Sequence, residues 1–107
     1  MGNAAQINAE ERKYWNSEPA GYWISQKQAL DRLLAPWARL LLEAADLSGG
    51  EQITDVGCGT GATTLEFAAS VGTEGLVTGI DLSGKLIDCA TELVREHSIK
   101  NVMFVEA

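Results

Sequence analysis

Three glycines at alternate positions, Gly57, Gly59 and Gly61, stand between a short apolar run and a helical one. Glycine lets a chain turn tightly and lets backbone approach a ligand closely. A helix that begins just after such a turn offers free N–H groups and a partial positive charge. Asp81 follows Gly61 by twenty residues, at the end of a second apolar run. A carboxylate at that spacing accepts hydrogen bonds from the vicinal hydroxyls of a ribose. The chemistry these residues suggest is the binding of a nucleoside.

Which nucleoside depends on charge. The run from Gly57 to Ala62 satisfies G-x-G-x-x-A, so a nicotinamide dinucleotide remains open. Asp55, however, lies two residues before Gly57 at the mouth of the first run. Two unit charges 4 Å apart interact by about 4 kcal/mol at an effective dielectric near 20. An acid facing a pyrophosphate meets repulsion on that scale, whereas an acid facing a phosphate-free cation attracts it. S-adenosylmethionine carries an ammonium, a sulfonium and a ribose, and fits both Asp55 and Asp81. Residues 51–107 hold nine acidic and three basic side chains, which leans the same way.

The elements that must position these residues follow from periodicity. Gln52–Val56, Leu76–Asp81 and Val102–Val105 read as strands. Ala62 to about Val71, and a segment from Ser83 to about Ser98, read as helices between them. The order β-α-β-α-β implies parallel strands with right-handed crossovers, side by side in the order 3-2-1. The expected fold class is therefore α/β, a Rossmann-like parallel sheet preceded by N-terminal helices. The second half of such a sheet falls outside these 107 residues. The free edge of its first strand calls for a further segment, another copy or the N-terminal helices to cover it.

Residues 1–50 read as a helical segment and 51–107 as the first half of the nucleoside-binding domain. Asn8 and Glu11 have the spacing of a helix start, and that helix is expected to run to about Trp15. The stretch from Asn16 to Gly21 reads as a break. Leu30, Leu33, Leu34, Trp37, Leu40, Leu41 and Ala44 then form one apolar stripe that keeps its phase across Pro36. Either one helix continues through Pro36 or a second begins there. Trp37, inside the stripe, is expected to pack. Tyr14, Trp15 and Trp23 either anchor these helices or line the pocket.

Composition removes several classes. At 46% hydrophobic and 21% charged the chain is globular rather than disordered. A net charge of −7 disfavours a nucleic-acid binder, which needs a basic face. Cys58 and Cys89 show no metal-ligand or disulfide spacing, no metal site is expected, and a reducing cytoplasm fits. No apolar run approaches the 18 residues of a membrane span.

Ile53 to Gly61 (ITDVGCGTG) resembles the first motif of the Rossmann-like S-adenosylmethionine-dependent methyltransferases. Gly79-Ile80-Asp81-Leu82-Ser83 is similar to their second, and Asn101–Ala107 to the strand leading to their third. Residues 8–50 resemble the N-terminal helices of the small-molecule methyltransferases related to quinone biosynthesis. The resemblance implies cofactor contacts from Asp55, Gly57, Cys58, Gly59, Gly61, Asp81 and Leu82. It has Asp55 and Gly57 beside the methionine part, Asp81 on the ribose hydroxyls and Leu82 on adenine. It implies a small-molecule methyl acceptor, without naming one, and no nucleic-acid or membrane partner. No residue stands out as a catalytic base. Self-association through the free sheet edge, an NAD(P)-dependent oxidoreductase and a non-catalytic interaction module derived from the same fold stay open beside it.

Overall fold

The structure, a computed structural model, describes residues 2–107. Three helices come first: α1 (Ala4–Trp15), α2 (Glu18–Ser25) and α3 (Lys27–Ala45). The remainder alternates as β1 (Gln52–Val56), α4 (Ala62–Val71), β2 (Leu76–Asp81), α5 (Gly84–Glu96) and β3 (Val102–Glu106). The three strands are parallel, in the order β1-β2-β3, which is the expected 3-2-1 arrangement. Among the described residues no strand pairs with the outer edge of β1, and the N-terminal helices add none.

Register explains which side of the sheet is buried. Ile53 pairs with Val77 and Val77 with Val102; Asp55 pairs with Gly79 and Gly79 with Phe104. These two rows point to one face, because side chains alternate along a strand. Val77 there is fully buried, and it joins Phe67, Ala68 and Val71 of α4 in the core. Leu42, Leu47, Ile53 and Val102 close around that cluster. The opposite face carries Val56, Met103 and Val105, all exposed. On the covered side α5 buries Leu86, Ile87 and Ala90.

The N-terminal helices depart from the pattern in three ways. Helix α1 starts at Asn3, not Asn8: Asn3 Oδ1 accepts from the Gln6 amide and Gln6 Oε1 from the Asn3 amide, both at 2.9 Å. The same spacing occurs twice in this segment, and the earlier copy forms the capping box. The break after α1 is only Asn16–Ser17. Pro19 sits in the first turn of α2, where its missing N–H costs nothing, and the helix runs on through Gly21. Helix α3 is one helix with Pro36 inside it. Its apolar stripe is largely open: Trp37 and Leu33 are each 69% exposed, so Trp37 does not pack as expected. No residue of that stripe packs against the core; Leu42, near the C-terminal end of α3 and outside the stripe, does. No helix among the described residues is long and apolar enough to cross a membrane.

Candidate cofactor site

The glycine turn is built by β1 and β2 together. The amides of Gly57 and Cys58 both donate to the Ile80 carbonyl, at 2.7 and 3.0 Å, so the chain folds back across the end of β2. Gly57, Gly59 and Gly61 all have positive φ, of 75°, 56° and 87°. L side chains rarely adopt that region, which accounts for the glycines at alternate positions. At Gly57 and Gly59 an added Cβ would meet nothing within 4 Å. Their backbone therefore faces open space.

Asp81 locks this turn. Its Oδ2 accepts from the Gly59 amide and its Oδ1 from the Ser83 amide, each at 2.8 Å. A carboxylate has about four acceptor sites, so two remain for a ligand. The turn-residue role and the ligand role are thus compatible in one side chain. Ser83, fully buried, caps α5 by accepting from the Leu86 amide at 3.2 Å.

Beyond the carboxyl ends of the strands lies a cleft of about 520 Å³. Its floor is Gly57, Gly59, Asp81 and Leu82, and its roof is Asn8, Glu11, Trp15 and Trp23 of α1 and α2. A volume in this range suits a nucleoside-sized ligand. The charged residues of the lining, Glu11 and Asp81, are both acidic. Trp15 donates its indole N–H to Glu11 Oε2 at 3.2 Å and stacks edge-on with Tyr14. Of the three rings considered in the sequence, Trp15 and Trp23 line the cleft while Tyr14 is 53% exposed.

The other residues expected at the site sit behind the turn. Asp55 accepts from the hydroxyl of the fully buried Thr64 at 2.7 Å, tying β1 to α4. It is not among the residues that line the cleft, where the acids are Glu11 and Asp81. Gly61 precedes α4; a Cβ there would come within 3.0 Å of Phe104 and 3.1 Å of Ala90. Its role in the fold is the close approach of the helix to β3. Cys58 borders a second, smaller hollow of about 260 Å³ between α3 and the turn. Lys27 of α3 reaches the turn from that side, donating to Thr60 Oγ1 at 3.1 Å and to Asp31 at 2.8 Å.

Burial, and then the nearby Asp55 and Asp81 carboxylates, push the Cys58 thiol up to about 12 from its ordinary 9.0. The thiolate is the reactive form, so Cys58 is chemically quiet. At pH 8 its alkylation by iodoacetamide is expected to run about a thousandfold slower than that of a free thiol. Mass spectrometry of a time course reads this; labelling at a rate within tenfold of free cysteine contradicts it. A raised thiol pKa also means that its share of stability is complete below pH 9 and lost as the pH climbs toward 12.

Asn8 and Glu11 are among the lining residues that sequence reasoning missed. Their spacing fits a helix cap, and only the docking of α1 turns them over the cleft. No group of three or more His, Cys, Asp or Glu that could hold a metal occurs among the described residues.

Residues 47–107 match the family model described as a methyltransferase domain, and the chain belongs to that family. Aklanonic acid methyltransferase DauC of Streptomyces sp. strain C5 is 34% identical over 63% of this chain and 30% of its own length. Demethylmenaquinone methyltransferase of Lactococcus lactis is 35% identical over 64% of this chain and 27% of its own. The chain therefore spans about 30% of the length of these relatives. Among solved structures, coclaurine N-methyltransferase bound to N-methylheliamine and SAH superposes with a TM-score of 0.62. It is 29% identical, over 68% of this chain and 21% of that one. The sheet and its helices are thus the Rossmann-like α/β fold of methyltransferases.

Proposed function

We propose that this chain is the cofactor-binding part of an S-adenosylmethionine-dependent methyltransferase that acts on a small molecule. One observation carries the reading. Asp81 holds the glycine turn by the Gly59 amide while keeping free acceptor sites toward a cleft whose charged lining is acidic. An acidic lining favours a cationic nucleoside and opposes a pyrophosphate. In the fold the acids that line the cleft are Glu11 and Asp81.

Residue roles follow from position. Asp81 accepts from the ribose hydroxyls, and Leu82 lies against the adenine. Gly57 and Gly59 let the methionine part approach backbone. Asp55, Cys58 and Gly61 hold the turn in shape from behind. Bound here, the cofactor supplies a methyl group already made electrophilic by its sulfonium. The protein then has mainly to align donor and acceptor, and orientation of that kind contributes roughly 7–11 kcal/mol. Trp15 and Trp23 offer flat apolar walls for the acceptor side. The names of the relatives make demethylmenaquinone and aklanonic acid the first acceptors to try.

Calorimetric titration of the full chain with S-adenosylmethionine, S-adenosylhomocysteine (SAH) and NAD tests the reading. The two sulfur nucleosides are expected to bind and NAD is not. Binding of NAD alone would favour the oxidoreductase instead. Tight S-adenosylmethionine binding without methyl transfer to any acceptor would favour the interaction module.

A further inference from the structure

Helix α1 ends beside the start of α5, some seventy residues away in sequence, and one side chain joins them. Asn16 is the residue at the C-terminal end of α1. Its Nδ2 donates to the Arg12 carbonyl at 2.8 Å, and its Oδ1 accepts from the Lys85 amide at 3.2 Å. The last carbonyls of a helix and the first amides of a helix both lack partners within their own helices. One amide side chain thus satisfies an orphan at each end, with the negative end of α1 set against the positive end of α5. Ser83 takes the Leu86 amide, so Ser83 and Asn16 between them cap two of the first N–H groups of α5.

The joint lies on the loop that fixes the candidate ribose acid. Asn16 Nδ2 and Arg12 both reach the Leu82 carbonyl, at 3.5 Å each, and Asn16 Oδ1 meets Ser83 Oγ at 3.5 Å. The amide of that same Ser83 donates to Asp81. Arg12 also pairs with Glu106 at the end of β3, at 3.8 Å. Earlier on α1, Glu11 and Trp15 overhang the cleft.

We propose that Asn16 is a positioning residue for nucleoside binding: it clasps the roof of the cleft to the Leu82–Lys85 loop and so sets the cleft's width over Asp81. It touches no ligand itself. Resting on the cofactor reading above, the proposal adds to it the device that couples the N-terminal helices to the acid-bearing loop.

The test compares wild type with Asn16→Ala, Asn16→Asp and Ser17→Ala in the full chain. SAH affinity is measured by calorimetry well below each melting temperature. Asn16→Ala is expected to raise the SAH Kd about tenfold, the scale of one net hydrogen-bond loss. Asn16→Asp keeps the acceptor for the Lys85 amide and loses both donations, so its Kd falls between the two. Ser17→Ala removes a bond from the same turn, the hydroxyl donation to the Tyr14 carbonyl. The Ser17 hydroxyl makes no hydrogen bond to α5, so the variant's Kd is expected to stay at the wild-type value. Equal affinity of wild type and Asn16→Ala, or an equal loss in Ser17→Ala, overturns the proposal. Amide exchange at Lys85 gives a readout independent of any ligand: it accelerates in Asn16→Ala and not in Ser17→Ala. If wild type ignores SAH, the cofactor reading fails. The clasp is then judged on Lys85 alone, where unchanged exchange in Asn16→Ala refutes it.

Discussion

Asp81→Ala is expected to weaken SAH binding by at least about a hundredfold and to lower the unfolding midpoint as well. The carboxylate takes one backbone N–H on each oxygen, from Gly59 and from Ser83. Hydrogen bonds to charged groups contribute about 1.5–3 kcal/mol each, and every 1.4 kcal/mol of binding is tenfold in Kd. Removing the acid deletes the proposed ribose acceptor and releases the turn that carries Gly57 and Gly59. Asp81→Asn is the sharper variant. It preserves shape, but its NH2 must face either the Gly59 or the Ser83 amide, donor against donor. It should therefore lose most of the affinity despite being nearly isosteric. Two simpler roles predict different pairs of results. An acid that only caps the loop would leave affinity intact once the protein is folded. An acid that only binds ribose would leave the midpoint intact. Loss of both, measured by calorimetry and urea unfolding, is the expected signature, and retention of either one counts against the dual role.

Much of this site was legible because its parts are local. A strand, three glycines and a helix are adjacent in sequence, and the handedness of the crossovers fixes the strand order. What stayed illegible depended on contacts between distant segments or on patterns with two solutions. Asn3/Gln6 and Asn8/Glu11 carry equivalent cap spacings, and nothing in the pattern ranks one above the other. Once the first forms the cap, Glu11 is released to face the cleft. It arrives there because Arg12 and Asn16 dock α1 on the Leu82–Lys85 loop, a contact about seventy residues apart. Helix α2 was hidden by Pro19 and Gly21, which signal a break in most settings but are tolerated in a first turn and on an open face. Trp37 shows the converse error. An amphipathic stripe establishes that a face is apolar, not that this chain covers it. Asp55 is a subtler case: its position beside the turn suggested ligand contact, and the pattern gave no sign that its carboxylate would also accept from Thr64 in the following helix.

The ring of Phe104 turns two glycines into a matched experiment. Gly79, in the middle of β2, has ordinary backbone, but an added Cβ would lie 2.7 Å from Phe104 and 2.9 Å from Cys58 Sγ. Gly61 crowds the same ring at 3.0 Å and also holds φ at +87°. Overpacking a core costs typically 1–3 kcal/mol, and both sites are enclosed by rigid groups. Gly79→Ala is therefore expected to cost about 3 kcal/mol, and Gly61→Ala about as much from crowding and left-handed backbone together. Phe104→Leu then separates the causes, since it removes the ring and leaves the backbone unchanged. In the Gly79→Ala background it should recover most of the loss, because space is the main defect there. In the Gly61→Ala background a residue of about 1–2 kcal/mol should persist, the cost of a left-handed L residue. Urea midpoints for the five mutant chains (Gly79→Ala, Gly61→Ala, Phe104→Leu and the two doubles) and wild type give both coupling energies as double-mutant cycles. Equal rescue at the two positions would mean that the φ of Gly61 is not a constraint. The third glycine of the turn would then be there for room alone.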